Sequence, residues 1–546
     1  MRPLPNLENR FVTANSLIGL NDEQAYLSSK EVDELMLTLQ KVRHDLFKAK
    51  TPKHKFELRQ EDKRIRGELE QELLKLGFGK ENAKLISTWD PYDKNRSAEF
   101  FDAEWMFGIK DGFDIVIANP PYIEFKKQSQ ELKDSLKQYE TAKGKFDIFV
   151  CFIEKSAKLL KQGGVHCFIN PTTFMKRDYG KATRDYINKY FEILQILDFA
   201  DAQIFDSATT YTGIFLFKKN ESSRKYTFSY QKFLSNKDVD EDTMFIPINT
   251  NYKESFTVVK EELSKSSWVF LSPIYDNLFK KIEADKTIKM KELASYIFEG
   301  IASGKDDVFF VKQDLIDSQH LESEIIYPLL KGDNVQQFSY DWSGYFVIYP
   351  YEEDNNVISE SKLKEKYPNI YRYLLSRKND LSGRGYFDNS GKKWYELWNE
   401  RNKEKFSQKK IVNCEISADN RFSVDNENFF GNTKIFNTVL KEKYSHLYDF
   451  ITGLLNSNVL NYFEKQISTP KAGGAYEHKT QFIERYPIML GTELQQKEIG
   501  NLSSKIANMK KEDINADVNE LLKQLNQKVY ELYELTDEEI DIVEGN

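Results

Sequence analysis

Residues 113–122 read Phe-Asp-Ile-Val-Ile-Ala-Asn-Pro-Pro-Tyr, and no other stretch restricts the possible folds as strongly. The first six form a compact β-branched run of the kind found in a strand buried on both faces. Two prolines then end the strand, because proline has no N–H to give to a ladder. Downstream, helical and apolar segments alternate. Helices are expected at about 147–161 and 179–190, and strands at 165–169, 193–199 and 213–217, with Gly163-Gly164 as a break. Such alternation implies a largely parallel, doubly wound α/β sheet.

Around this nucleus the texture changes. Phe11-Val12-Thr13-Ala14 reads as a short strand, followed by a loop at Asn15-Ser16-Leu17. Residues 23–86 are helical and charged, with Val32, Leu35 and Leu39 at helical spacing. Residues 41–70 carry ten Lys/Arg against six Asp/Glu, the pattern of a solvated helical face, with a nucleic-acid surface as the second reading. After residue 219 the chain is polar and irregular to about 268. A second, aromatic-rich region follows, opening on Ile274, Leu278 and Ile282 and punctuated by turn dipeptides at 303–304, 332–333 and 473–474. From about 495 the sequence is helical and acidic. Four segments are therefore expected: an α/β domain at 1–220 with a helical insertion at about 21–100, an irregular connection at 221–268, a mixed α/β domain at 269–495, and an acidic helical segment at 496–546.

Composition excludes several classes. A chain of 546 residues that is 40% hydrophobic and 14% aromatic is no disordered polymer. It has no run of about 18 apolar residues, so no membrane span is expected. Its first residues lack a signal-peptide pattern. Three scattered cysteines and six histidines without ligand spacing suggest neither a disulfide frame nor a metal site, and a reducing, cytoplasmic compartment. The net charge of −8 argues superficially against a polyanionic partner. Residues 511–546, however, hold three Lys/Arg and eleven Asp/Glu, so they account for all of it. Residues 120–190 hold fourteen Lys/Arg against eight Asp/Glu, a local excess that suits docking on phosphates.

Asn119-Pro120-Pro121-Tyr122 lies at the carboxyl end of the expected strand, where open parallel sheets bind ligands. The Asn119 side-chain oxygen and the Pro120 carbonyl can accept the two protons of an exocyclic amino group. Holding both aims the nitrogen lone pair at an electrophile, which is catalysis by positioning. The prolines stiffen the turn that carries these acceptors. Tyr122 offers a flat face on which a base can stack.

These residues resemble motif IV of the DNA adenine-N6 methyltransferases. The segments Lys145–Phe149, Ala157–Gly164, Ile169-Asn-Pro171 and Phe205-Asp-Ser-Ala208 resemble later motifs of the gamma-class enzymes of restriction–modification systems. Phe101-Asp-Ala-Glu-Trp105 is similar to the large single-chain type IIG enzymes. Gly300–Gly304, Trp394-Tyr395, Leu454–Ser457 and Tyr486-Pro-Ile488 resemble landmarks of the TaqI-like C-terminal specificity domain. The resemblance implies a Rossmann-like methyltransferase sheet followed by a mixed α/β target-recognition domain. It further implies S-adenosylmethionine as methyl donor, double-stranded DNA as partner, and a target adenine flipped out of the helix. By the same resemblance Tyr122 and Phe205 stack the base, while Asn15, Phe146 and Asp147 adjoin the donor. Ordinary core packing stands as an alternative for Phe146 and Phe205. Lys126, Lys127, Lys471 and Lys479 read as solvated lysines, with phosphate contact as the second reading.

One part of the gamma-class pattern is missing. A glycine-rich strand–loop–helix should precede the motif that Val12–Leu17 resembles, and only fourteen residues precede Asn15. Phe298-Glu-Gly300-Ile-Ala-Ser-Gly304 is the nearest substitute. It runs into Lys305-Asp306-Asp307 and a strand rather than a helix N-terminus, and suits the opening of the specificity domain instead. An incomplete sheet with an exposed edge is therefore expected. The chain would be the C-terminal part of a split enzyme completed by an upstream partner chain. The alternatives are a specificity subunit or inactive truncated remnant that binds DNA without methyl transfer, or a methyltransferase acting on protein glutamine or RNA. The large second domain disfavours the last.

Overall fold

In the computed structural model, residues 10–20, 29–93, 95–200, 204–205, 211–220, 225–233, 252–264, 267–384, 387, 390–471 and 474–545 are described. They form two units, 1–268 and 269–546. In the first unit the charged stretch becomes α1 (Lys30–Lys48), α2 (Pro52–Lys75) and α3 (Lys80–Thr88). Ser29 and Thr51 cap α1 and α2 by accepting the N–H of Val32 and His54, and Pro52 occupies the first turn of α2. Leu39, Leu46, Ile65, Leu69 and Leu73 form the buried seam of these helices. Beneath them, Asp62 accepts Nε–H bonds from Arg43 (2.8 Å) and Arg66 (2.7 Å) and the Tyr92 hydroxyl (3.0 Å). The expected strand at 11–14 is reduced to one bridge, Ala14 to Ala98.

After α4 (Ala103–Phe107) the order is β1 (Phe113–Ala118), α5 (Gln130–Leu136), α6 (Phe149–Leu159), β2 (Leu160–Pro171), α7 (Thr173–Lys176), α8 (Lys181–Tyr190), β3 (Phe191–Asp198), β4 (Thr212–Lys219), β5 (Thr227–Phe233) and β6 (Tyr252–Val259). The strands form one sheet in the order β1-β2-β4-β3-β5-β6. It is mixed rather than largely parallel: β1/β2 and β3/β5 are parallel, and the other three pairings antiparallel. Because β4 returns directly beside β3, it enters between β2 and β3 in the opposite sense. Strands β5 and β6 fall where an irregular connection was expected. Their polar texture reflects an outer position, with alternate residues such as Phe228 and Tyr230 buried. Gly163 and Gly164 lie inside β2 rather than before it. Gly163 has φ +79°, and a Cβ at Gly164 would come 2.8 Å from the Phe113 carbonyl, so the pair forms the irregularity between Phe113 and Ile115.

The expectation that β1 is buried on both faces fails. Ile115 and Ile117 are 63% and 76% exposed. Among the described residues β1 pairs with β2 alone, and its outward residues Ile115 and Ile117 pair with the half-buried Val165 and Cys167. Elsewhere in the sheet His166, Phe168, Phe215, Phe217, Ile193 and Ile196 are buried.

Among the described residues the second unit has two large cores and a smaller cluster of Leu330, Val335, Val412, Phe429 and Ile435. Strands Phe422–Asp425, Lys410–Cys414, Ile435–Leu440 and Ala294–Glu299 form an antiparallel sheet. It shares a core with helices Pro273–Ile282, Tyr448–Leu455, Asn458–Ile467, Glu493–Glu512 and Asn519–Leu532. Leu278 and Ile282 are buried there as their spacing implied, whereas Ile274 is exposed. The acidic C-terminal segment is part of this core, through Ile499, Ile506, Leu525 and Val529. Its charges occupy the outer faces. A second sheet orders Phe430–Gly431, Ile326–Leu330, Tyr345–Ile348 and Phe310–Lys312. The loop at Gly300 leads into a helix of four residues, Asp306–Phe309. A Cβ at Gly300 would collide with the backbone of Gly431 and Asn432, which is reason enough for glycine there.

Candidate active site

β1 ends at Ala118, paired with Phe168 of β2, and Asn119 follows. Pro120 is buried, while Asn119 and Pro121 are exposed. Among the described residues the Asn119 side chain makes no hydrogen bond, so its amide is free at the strand's carboxyl end. Tyr122 is half-buried, and its hydroxyl donates to the Ile169 carbonyl at 2.9 Å. Burial pushes that hydroxyl up to about 12, so it remains a neutral donor throughout the physiological range. The bond pins the ring to β2.

Two aromatic rings flank Tyr122. Phe205 lies with its centroid 6.5 Å away at 65°, and Phe149 of α6 at 6.4 Å and 81°. Both contacts are edge-to-face, so Phe205 is brought to Tyr122 without forming a parallel slot. The residues quoted after it, Asp206–Ala208, lie outside the described residues. Phe149 ends the motif-like segment Lys145–Phe149, but the sequence assigned it no role.

The loop that follows is clamped to the segment before α6. Ile148 donates its N–H to the Ile123 carbonyl at 3.0 Å. The buried Gln128 amide donates to the carbonyls of Ile123 (3.0 Å) and Phe146 (3.1 Å). These bonds hold 119–128 against 146–148, and a lone glutamine gives no hint of them in the sequence. Phe146 itself is buried, with its ring 5.8 Å from Phe125. Asp147 accepts from the Tyr179 hydroxyl at 3.0 Å, which in turn meets Thr173 at 2.8 Å. Burial raises its carboxyl above the usual range, and the Tyr179 bond opposes this.

Asn15 stands apart from this cluster. Its Oδ1 accepts the Leu17 N–H at 3.3 Å and its backbone N–H bonds to the Ala98 carbonyl at 2.9 Å. The same loop is tied down by Tyr139, whose hydroxyl donates to the Leu17 carbonyl at 2.6 Å. Among the described residues no hydrogen bond or ring contact joins Asn15 to 119–122. With Phe146 packed inward and Asp147 and Asn15 engaged in the chain's own bonds, these three residues do not by themselves make a donor-binding cradle. Lys126 and Lys127 are exposed. In the second unit, Lys471 pairs with Glu477, and Lys479 with Glu415 and Glu477. His166 is core: its Nδ1 lies 2.6 Å from Ser156 Oγ, its ring stacks on Phe217, and burial drives it down to about 3. Among the described residues no helix is long and apolar enough to cross a membrane.

Residues 20–205 match the family of Eco57I restriction-modification methylases, and residues 327–488 the TaqI-like C-terminal specificity domain. The type II restriction enzyme and methyltransferase RM.Eco57I of Escherichia coli is 26% identical over 440 residues, covering 73% of this chain and 42% of its own. The type II methyltransferase M.BstVI of Geobacillus stearothermophilus is 24% identical over 383 residues, 68% of this chain and 66% of its own. The chain thus spans less than two thirds of either relative. The adenine-specific methyltransferase PglX of Streptomyces coelicolor is 24% identical, over 70% of this chain and 34% of its own. In fold, the chain is similar to the type IIL restriction-modification enzyme MmeI, solved in complex with DNA. The TM-score is 0.52 at 12% identity, covering 79% of this chain and 54% of that one. This chain therefore carries an Eco57I-type restriction-modification methylase domain followed by a TaqI-like C-terminal specificity domain.

Proposed function

We propose that the chain is the target-holding and sequence-reading part of a DNA methyltransferase that modifies adenine N6 in duplex DNA, working in the cytoplasm. The observation that carries this reading is the free Asn119 amide beside the pinned ring of Tyr122. An extruded adenine stacks on the Tyr122 face, with Phe205 closing the pocket. Asn119 Oδ1 and the Pro120 carbonyl accept the two amino protons and hold the lone pair outward. Pro121 keeps the turn rigid, so little reorganisation is needed. S-adenosylmethionine, when bound, supplies the electrophilic methyl group. Asn15, Phe146 and Asp147 contribute the edge of its site, and an upstream partner chain carrying the glycine-rich loop completes it.

The test is nucleoside mass spectrometry of duplex DNA incubated with S-adenosylmethionine, this chain and the product of the upstream reading frame. N6-methyladenine is expected, and Asn119→Ala abolishes it while DNA binding persists. Methylation of protein or RNA instead, or activity surviving Asn119→Ala, sinks the reading. Full activity of this chain alone sinks the partner requirement. A second reading, a DNA-binding specificity subunit or inactive truncated remnant, is favoured by the engaged state of Asn15 and Asp147. It predicts sequence-specific binding without methylation under any complementation.

A further inference from the structure

The excess of cations in residues 41–70 is concentrated at one end of the helical hairpin. Residues 41–56 hold six Lys/Arg against one Asp, and residues 57–70 hold four against five. Residues 49–51 join α1 to α2, a connection short enough to set the two helices side by side and antiparallel. Lys41, Lys48, Lys50, Lys53 and Lys55 therefore gather at this closed end and the turns leading to it. The first four are exposed and Lys55 is half-buried. Among the described residues none of these five ammonium groups has a carboxylate partner. At the other end of the hairpin the opposite holds, since Lys30 pairs with Glu34 and Lys75 with Glu72. Arg43, the sixth cation, is buried and engaged by Asp62. The first turn of α2 contains no acidic residue, so the helix dipole adds to the positive field there. Phe56, 62% exposed, follows Lys53 by one turn on the same face of α2.

We propose that the closed end of the α1–α2 hairpin docks on the phosphate backbone of duplex DNA, as a contact separate from the turn at Asn119. The proposal rests on the DNA-directed reading above and adds a second point of attachment within the same unit. Charge and shape select the occupant. A duplex carries one negative charge per about 1.7 Å of its axis, and a tip two helices wide spans about 20 Å, so it can face several phosphates. An anionic membrane surface would require an apolar stripe beside the cations. The apolar stripe of these helices is instead buried, at Leu39, Leu46, Ile65 and Leu69. Stiffness suits the role as well. Asp62 accepts from Arg43 and Arg66, and Arg43 Nη1 also donates to the Trp105 and Met106 carbonyls at 2.9 and 3.1 Å. The hairpin is thereby fixed to the segment that leads into β1, and little order is lost on binding. Phosphate contacts of this kind set affinity and register without reading bases, and Phe56 supplies an apolar contact to the deoxyribose.

The experiment is a fluorescence-anisotropy titration of the full chain with labelled mixed-sequence duplexes at several salt concentrations. Counterion release makes the logarithm of the binding constant fall with that of salt, with a slope of about 0.9 per phosphate neutralised. Combining Lys48→Gln, Lys50→Gln and Lys53→Gln should reduce the slope by about 2–3 and weaken binding at least about tenfold near 0.1 M salt. The loss should be the same on every duplex sequence, and Arg at the same three positions should restore binding. Lys30→Gln with Lys75→Gln removes charge from the same two helices at their paired end, and should leave the slope unchanged. Thermal unfolding of each variant checks that the hairpin still folds. Asn119→Ala keeps the slope while removing methyl transfer, so failure of docking and failure of the catalytic reading are told apart. An unchanged slope in the triple variant overturns the proposal, as does an equal loss in the Lys30/Lys75 control. Binding to phosphatidylserine vesicles that the triple variant loses while its DNA slope stays intact overturns it in favour of a membrane. A parent chain that binds no duplex overturns both the proposal and the DNA-directed reading on which it rests.

Discussion

Replacing Tyr122 by Phe and by Ala separates its two roles. Alanine removes the proposed stacking face, worth about 1–3 kcal/mol, so binding of the extruded state should fall by about 5- to 150-fold. Phenylalanine keeps the face and loses only the 2.9 Å bond from the hydroxyl to the Ile169 carbonyl. A neutral hydrogen bond of this kind is worth about 0.5–1.5 kcal/mol net, or about 2- to 12-fold. That loss falls on how firmly the ring is held between Phe149 and Phe205. The assay is 2-aminopurine fluorescence in duplexes carrying the analogue at the methylated position, with thermal unfolding of each variant as the stability reference. The extruded fraction should fall modestly for Phe and steeply for Ala. Because burial pushes the hydroxyl up to about 12, the ranking should be the same at pH 6 and pH 9. Equal losses for Phe and Ala would refute the stacking role and make Tyr122 a structural tether.

Three further outcomes follow from the buried polar groups. Asp62→Ala strips two buried guanidinium groups of their carboxylate and should destabilise the first unit by about 3–5 kcal/mol in urea unfolding; a loss under about 1 kcal/mol would contradict the geometry. In the second unit, Lys410→Met strands the buried Asp425 carboxylate and costs a similar amount, whereas Lys410→Met with Asp425→Leu should recover most of it; an additive double variant would disprove the coupling. His166 and His478 are buried and held down to about 3 and about 4, against an ordinary 6.5. As pH falls below about 6.5 the unfolded chain takes up protons that the folded chain refuses. Stability is therefore full above that pH and declines toward pH 4, by up to about 1.4 kcal/mol per unit for each histidine. His166→Phe, which preserves the stack on Phe217, should flatten that decline when urea midpoints at pH 7 and 4.5 are compared, and an unchanged slope would rule His166 out as its source.

Local chemistry was legible where a short stretch of chain decides the outcome alone. The prolines after Ala118 stop β1 wherever β1 lies, and the helical periodicity of Val32, Leu35 and Leu39 yields α1 in any context. The placement of Asn119 and Tyr122 at the carboxyl end of β1 was legible for the same reason, since strand, turn and ring are neighbours in sequence. The errors concern partners distant in sequence. Strands β5 and β6 were read as irregular because strands at the outer end of the sheet bury only alternate residues, and the acidic tail looked separate because its charges outnumber the apolar residues it buries in the core.

By itself, then, the sequence determined the Asn-Pro-Pro-Tyr turn after β1, the helices between residues 30 and 88 and the resemblance of both domains, because capping, proline stiffness and apolar period act within a few residues. Tertiary structure decided which groups remain free to act. It engaged Asn15 and Asp147 in internal bonds, set Phe149 against Tyr122 and Gln128 against Phe146, and ran β4 antiparallel through the sheet. It also left Ile115 and Ile117 in the open. A β-branched run states that a strand is suited to burial, but only the layers packed around it determine whether it is buried.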